Sequence, residues 1–197
     1  MTTNSNSPFG LRPVRHRSGA AYNGSVNPYF LPASYATAMF IGDPVIKTGT
    51  ANTAAVGGFA VGTMPEINKA TAGTTNRVTG VIVGFLPLPT NLGLTYNTAS
   101  TERVALVCDD PDVQFEAQAD TAASVTVGLN ANFTFAAGST ATGMSGATID
   151  GTNAALTVGF QVTIMRLVNR VDVFSGAFAK VLVKLNNHTE VNASTGI

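Results

Sequence analysis

Short apolar runs recur along this chain, each cut off by Gly, Pro, Asn or Thr. Lys180-Val181-Leu182-Val183-Lys184-Leu185 is the cleanest of them. Val181, Val183 and Leu185 face one way, and both lysines face the other with Leu182. Val113-Gln114-Phe115-Glu116-Ala117-Gln118 alternates apolar and polar with a period of two. Arg77 to Leu86 reads RVTGVIVGFL, with Gly80 and Gly84 as candidate bulge or corner positions, and Pro87-Leu88-Pro89 ends it. Val104 to Cys108 has the character of a buried strand. Ala38 to Ile41 leads through Gly42-Asp43-Pro44 into Val45 to Gly49, a strand–turn–strand pattern. Further strands are expected over Val56–Val61, Leu156–Phe160 and Gln161–Val168.

Helix has little support. Ala119 to Leu129 is one window for a short helix, with Asp120 as N-cap, but the Ser124-Val125-Thr126-Val127 run and Gly128 work against it. The pattern therefore predicts a mainly β protein: a compact antiparallel β-barrel or β-sandwich with an extended N-terminal arm and little helix.

The arm is expected over residues 1–35. Pro8, Pro13, Pro28 and Pro32, with Gly10, Gly19 and Gly24, break helices and confine strands to edges. Yet the stretch also carries Phe9, Leu11, Tyr22, Tyr29, Phe30, Leu31 and Tyr35. Aromatic side chains in an irregular segment need somewhere to bury their area. An arm laid on its own body or on a neighbouring subunit satisfies both features. A β-rich body follows over residues 36–190, and a flexible tail over residues 191–197.

Composition sharpens this picture. Lys plus Arg and Asp plus Glu both total 11, and charged residues make up only 11% of the 197, against about 25% in an ordinary soluble domain. Thr121 to Ile149 carries no charge at all. The polar surface must come from Thr, Asn, Ser, Gln and backbone, as in a chain that works while packed against something. No apolar run approaches the length of a membrane helix, and the first ten residues lack the basic and apolar regions of a signal peptide. Asn-x-Ser/Thr triplets at Asn132, Asn187 and Asn192 are read as chance in a Thr- and Asn-rich chain.

Candidate chemistry is sparse. The single cysteine, Cys108, excludes an intrachain disulfide and a zinc–thiolate cluster, and it ends an apolar run as a buried thiol would. The only histidines are His16 and His188, and no nucleophile elbow, P-loop or dinucleotide fingerprint occurs. No cofactor is expected, and the chain is read as a non-enzyme. Five of the eleven acids, Asp109, Asp110, Asp112, Glu116 and Asp120, fall within twelve residues. They are open to three readings: a solvated turn, a contact to a basic partner, or a Ca²⁺ site, although the EF-hand offsets are missing. Arg12, Arg15 and Arg17 cluster around His16 in the proposed arm. Neutral overall charge argues against direct nucleic-acid binding, and the planar guanidinium suits carboxylates across an interface. The residues expected at an interface are Phe9, Arg12, Arg15, Arg17, Tyr22, Tyr29, Asp109, Asp110 and Asp112.

Five segments carry a resemblance: Pro8-Phe9-Gly10-Leu11-Arg12-Pro13-Val14-Arg15-His16; Phe40-Ile41-Gly42-Asp43-Pro44-Val45; Asp109-Asp110-Pro111-Asp112 with Phe115, Glu116 and Gln118; Val127-Gly128-Leu129-Asn130; and Val183-Lys184-Leu185-Asn186-Asn187-His188. In this order they resemble the head decoration, or cement, proteins of tailed bacteriophages, across roughly residues 8–188. The resemblance implies a β-rich body on the capsid exterior of the virion. It implies contact with the major capsid protein and with copies of itself, as a trimer or a dimer, and bridging of capsomers after the shell expands. It supplies no catalytic residues. Two other expectations stay open: a tail, connector or spike-base component, and a carbohydrate-binding β-sandwich using Tyr22, Tyr29, Tyr35 or Tyr96.

Overall fold

The computed structural model describes residues 4–121 and 125–191. These residues form an all-β fold of twelve strands with no helix. The strands are β1 (Arg12–His16), β2 (Asn27–Leu31), β3 (Pro44–Ala51), β4 (Pro65–Lys69), β5 (Gly80–Phe85), β6 (Arg103–Cys108), β7 (Val113–Gln118), β8 (Asn130–Ala131), β9 (Phe133–Ala136), β10 (Gly146–Ile149), β11 (Val162–Leu167) and β12 (Lys180–Leu185). Five of them close a barrel in the order β2-β4-β3-β5-β6. Five others make an antiparallel sheet in the order β1-β7-β12-β11-β8, and β9 pairs with β10 as a hairpin.

The continuous apolar run at β5 has a simple cause. Ile82 points into the barrel core with Tyr29, Leu31, Val45, Ile67, Ala105 and Val107. Its neighbour Val81 packs with Val78 and Cys108 into a second core, made largely by Phe115, Val162, Ile164, Val181 and Val183 of the sheet. The strand is buried on both faces, so period-two alternation disappears from its sequence. Gly84 sits where the β5–β6 register shifts, the bulge expected from the glycine.

The N-terminal segment is laid on its own body and is built into it. Leu11, Tyr29, Phe30 and Leu31 are buried, and β1 and β2 are working strands. The prolines had excluded central strands, and these are not central. β1 is a sheet edge, so Pro13 removes no needed ladder bond. β2 pairs along its length with β6 but meets β4 at the single pair Phe30–Glu66, which leaves Pro28 on a nearly open edge. Upstream, Asn4 exchanges hydrogen bonds with the backbone of Phe174 and Ala177. The Ser7 N–H donates to Gln118 Oε1.

Other expectations shift in detail. Val56–Val61 is a tight turn in which Val56 and Phe59 exchange backbone hydrogen bonds across Gly57-Gly58. Ala38–Ile41 makes isolated bridges to Asn97 and Met144 in place of a ladder. Leu156–Phe160 is a loop with Leu156 and Val158 exposed, because no strand lies opposite. In the window considered for a helix, residues 122–124 lie outside the described residues, and 125–129 form extended chain and a turn. Of the expected tail, residues 192–197 also lie outside the described residues, and Val191 is exposed.

The barrel, the N-terminal segment and the β9–β10 hairpin meet at Asp43. Its side chain is 0% exposed. Oδ2 accepts the Phe40 N–H at 2.8 Å, Oδ1 accepts the Ser145 hydroxyl at 2.6 Å, and Lys69 Nζ lies 2.8 Å from Oδ1. The Lys69 ammonium also sits 5.1 Å from the ring centre of Phe135 on the hairpin. Beside this cluster the Leu11 N–H donates to Gly42 O at 3.0 Å. Gly10 and Gly42 have φ of +71° and +92°, and a Cβ on Gly10 would lie 2.5 Å from Gly42 O. Both the left-handed backbone and the close approach require glycine there.

Two predictions come from this junction. Gly10→Ala is expected to cost about 3 kcal/mol or more in urea unfolding, from a backbone clash added to left-handed strain. Gly24→Ala, at φ +84° with nothing within 4 Å, serves as the comparison and is expected to cost only about 1 kcal/mol. Equal losses would remove the close approach as the cause. Asp43→Ala, which leaves Lys69 without its buried partner, is expected to cost about 3–5 kcal/mol by the same measurement.

Candidate functional site

The residues singled out for an interface surround β1 and β7. β7 is buried at all six positions, although its sequence alternates. Val113, Phe115 and Ala117 enter the sheet core. Gln114, Glu116 and Gln118 face the other way and are covered by the N-terminal segment. Arg12 Nη2 lies 2.5 Å from Glu116 Oε2, and Arg15 Nε donates to Gln114 Oε1 at 2.8 Å. Arg170, from the loop before β12, reaches Glu116 Oε1 at 3.1 Å. Antiparallel register sets the first two contacts, since Arg12 stands opposite Glu116 and Arg15 opposite Gln114.

Two turns finish the site. After β1 the chain reverses through Arg17-Ser18-Gly19, closed by the His16 N–H donating to Ala20 O at 2.8 Å. Between β6 and β7, Asp110 Oδ1 accepts the Asp112 N–H at 2.8 Å, the local bond that favours Asp in turns. The turns are tied together by the Arg17 N–H donating to Asp112 O at 2.7 Å, and His16 Nδ1 lies 3.3 Å from Asp110 Oδ2. They enclose a shallow depression of about 440 Å³ lined by His16, Arg17, Ser18, Asp110 and Asp112. Arg17 and Asp112 are exposed there. The depression offers one guanidinium, one imidazole and two carboxylates, which suits a polar protein contact of mixed sign.

The five clustered acids do not act together. Asp109 turns to the barrel, accepting the Tyr29 hydroxyl at 2.8 Å and the Asn27 amide at 2.9 Å. Glu116 is held by Arg12 and Arg170, and Asp120 accepts from the Gly151 N–H and the Thr152 hydroxyl. Among the described residues no group of three or more His, Cys, Asp or Glu is placed to hold a metal ion.

The remaining candidates separate. Phe9 lies beneath the Arg12 guanidinium, 5.5 Å from its ring centre, and lines an apolar cleft of about 250 Å³ with Leu11, Ile41, Ile82 and Met144. Tyr29 is buried in the barrel wall, and Tyr35 packs against the same core. Tyr22 donates to Ser25 O and packs against the sheet core. Tyr96 stacks on Phe40 at 5.0 Å. The four tyrosines are thus engaged in separate packing and hydrogen bonds. Cys108 is fully buried, and burial pushes its thiol up to about 11, so it stays protonated at neutral pH.

Three polar side chains, one part-buried and two buried, make structural contacts that escaped notice in the sequence. Lys69 is one. Arg103 is another; its guanidinium donates to the carbonyls of Leu86, Leu94 and Tyr96 and pins the loop between β5 and β6. Gln161 is the third, holding the Gly73 and Phe133 N–H groups and the Thr71 carbonyl. Each stands at or beside a strand end next to an apolar residue, which sequence alone does not distinguish from a surface position.

With this geometry in view, comparison with known proteins adds no relative: no family model, no curated protein and no solved structure matches the chain.

His188 generates a pH prediction. It is 0% exposed, and its Nδ1 accepts the Glu190 N–H at 3.0 Å. Burial lowers its pKa, outweighing the upward pull of the Thr79 and Asp109 backbone and of the Glu190 and Asp109 carboxylates. The unfolded chain therefore takes up a proton, from about pH 6.5 downward, that the folded ring resists. Its effect on stability is absent above that pH. Below it, stability falls until the pH passes the lowered folded value. His188→Asn keeps an acceptor for the Glu190 N–H, and it is expected to flatten the slope of urea midpoint against pH between neutrality and about pH 5. An unchanged slope would assign the acid sensitivity to other groups.

Proposed function

We propose that this chain is a non-catalytic structural protein of the virion that binds the exterior of a tailed-phage capsid. It stabilises the expanded shell by bridging major capsid protein subunits, and it self-associates as a trimer or a dimer. The observation that carries this reading is the spatial contiguity of the five segments that bear the family resemblance. Residues 9–11 lie against residues 40–43 through the Leu11–Gly42 hydrogen bond. β1 pairs with β7, β7 pairs with β12, and Asn186 just past β12 donates to Asn130 at 3.0 Å. The five segments therefore form one connected framework, which supports treating them as one pattern.

The surface supports the same reading. Most charged side chains have a partner within the chain, and between them amides, hydroxyls and single apolar tips such as Leu92, Leu156 and Val171 face outward. Such a surface gains little protection from charge repulsion when free and gives up little charge hydration when packed on a shell. Binding that favours the expanded state stabilises that state by linkage, through the difference in affinity between the two. The mixed-charge depression at Arg17, Asp110 and Asp112 is the proposed contact.

The test is to add purified protein to unexpanded and expanded capsids of the phage that carries its gene. Expected outcomes are binding to the expanded form and a raised disruption temperature for that form. Failure to bind either form would end the capsid reading. Arg17→Glu, on an exposed turn, is expected to lower occupancy about tenfold at limiting protein concentration while leaving the fold intact. Unchanged occupancy would place the contact elsewhere. The charge reversal is a cleaner probe than truncation of the N-terminus, which would strip β1 from β7.

A further inference from the structure

A second depression, on the sheet edge formed by β8, has a different chemistry. Asn130 opens β8, Thr163 is the second residue of β11, and Asn186 follows β12, so three neighbouring strands bring three polar side chains into a row. The Thr163 hydroxyl lies 2.8 Å from Asn130 Oδ1 and 2.7 Å from Asn186 Oδ1, and Asn186 Nδ2 donates to Asn130 Oδ1 at 3.0 Å. Asn130 Nδ2 donates to Thr157 O, which ties the row to the 156–160 loop. With Asn187, Val158 and Phe160 these side chains line a cleft of about 480 Å³, within the size range of small-molecule sites.

No residue lining this cleft carries a charge, so it offers nothing to attract phosphate or a carboxylate. It offers amides, each a donor and an acceptor in one plane, and a hydroxyl. These groups hold one another in place, so little side-chain entropy remains to be lost on binding. Beside them Phe160 is part-buried, and Val158 stands 90% exposed at the rim. Planar amides next to an apolar ring match a ligand that carries neighbouring hydroxyls on one side and C–H groups on the other.

We infer that this cleft binds neutral carbohydrate, with the amide and hydroxyl row on the sugar hydroxyls and Phe160 and Val158 against its C–H face. The site uses none of the four tyrosines and does not depend on the capsid reading.

The test is a titration of the isotope-labelled full chain with maltotriose, chitotriose and mannotriose, followed by backbone amide NMR. Glucose-6-phosphate serves as the charged control. Shifts are expected for at least one neutral sugar at millimolar concentration, clustered at residues 130, 158–160, 163 and 186 and absent from the 16–18 turn. Val158→Asp places a carboxylate at the exposed rim, and Thr163→Val removes the hydroxyl at nearly constant shape. Each is expected to weaken binding about fivefold or more. An unchanged melting temperature for Val158→Asp would show that the lost binding is not lost folding. The inference is overturned if no neutral sugar produces shifts, if glucose-6-phosphate binds as well as the neutral sugars, or if neither variant weakens binding.

Discussion

Asp43 has no access to water, and its carboxylate is held by a backbone N–H, a serine hydroxyl and a lysine ammonium from three separate stretches of chain. A buried carboxylate is tolerable only when its oxygens find partners, so each stretch is held to one position. Ser145 fixes the start of β10, Lys69 fixes the end of β4, and Phe40 fixes the approach to β3. The Gly10–Gly42 contact beside them then lets the N-terminal segment pass close enough to reach β7. The poorly charged surface owes something to the same arrangement, because the Asp43 and Lys69 charges meet largely inside the fold.

The balance of charge has a structural meaning that the totals alone did not disclose. Arginines near the N-terminus and acids in the middle were both among the residues expected at an interface. Within the chain, Arg12 meets Glu116 and His16 meets Asp110. The pairs differ in weight. Arg12 is largely exposed while Glu116 is buried, so the contact matters more for satisfying Glu116 than for any net attraction. Arg17 and Asp112 remain outward-facing, and they define the part of the cluster still available to a partner.

Strands with a clear pattern were legible. β6, β7, β11 and β12 follow from period-two alternation or short apolar runs, because the apolar clusters a strand packs against dictate which side chains it must carry. The edge strands were hidden by their prolines, which forbid a central position but not an edge one. β9 and β10 were hidden in a charge-free, glycine- and threonine-rich stretch, where a weak alternation looks like loop. Leu156–Phe160 misled in the opposite sense, since its alternation is not answered by a partner strand.

The sequence by itself determined that this is a β protein with a poorly charged surface, a buried thiol and no familiar catalytic signature. Side-chain period, turn residues and composition are local properties and survive without the fold. Only the tertiary structure decided that residues 12–31 supply two strands, that Asp43 is a buried junction, and that the clustered acids turn to separate partners. The same holds for the row of Asn130, Thr163 and Asn186. Each depends on contacts between residues far apart in the chain, for example Arg12 with Glu116 or Asn130 with Asn186. A residue's own neighbours in sequence carry no record of what the opposite strand will place beside it.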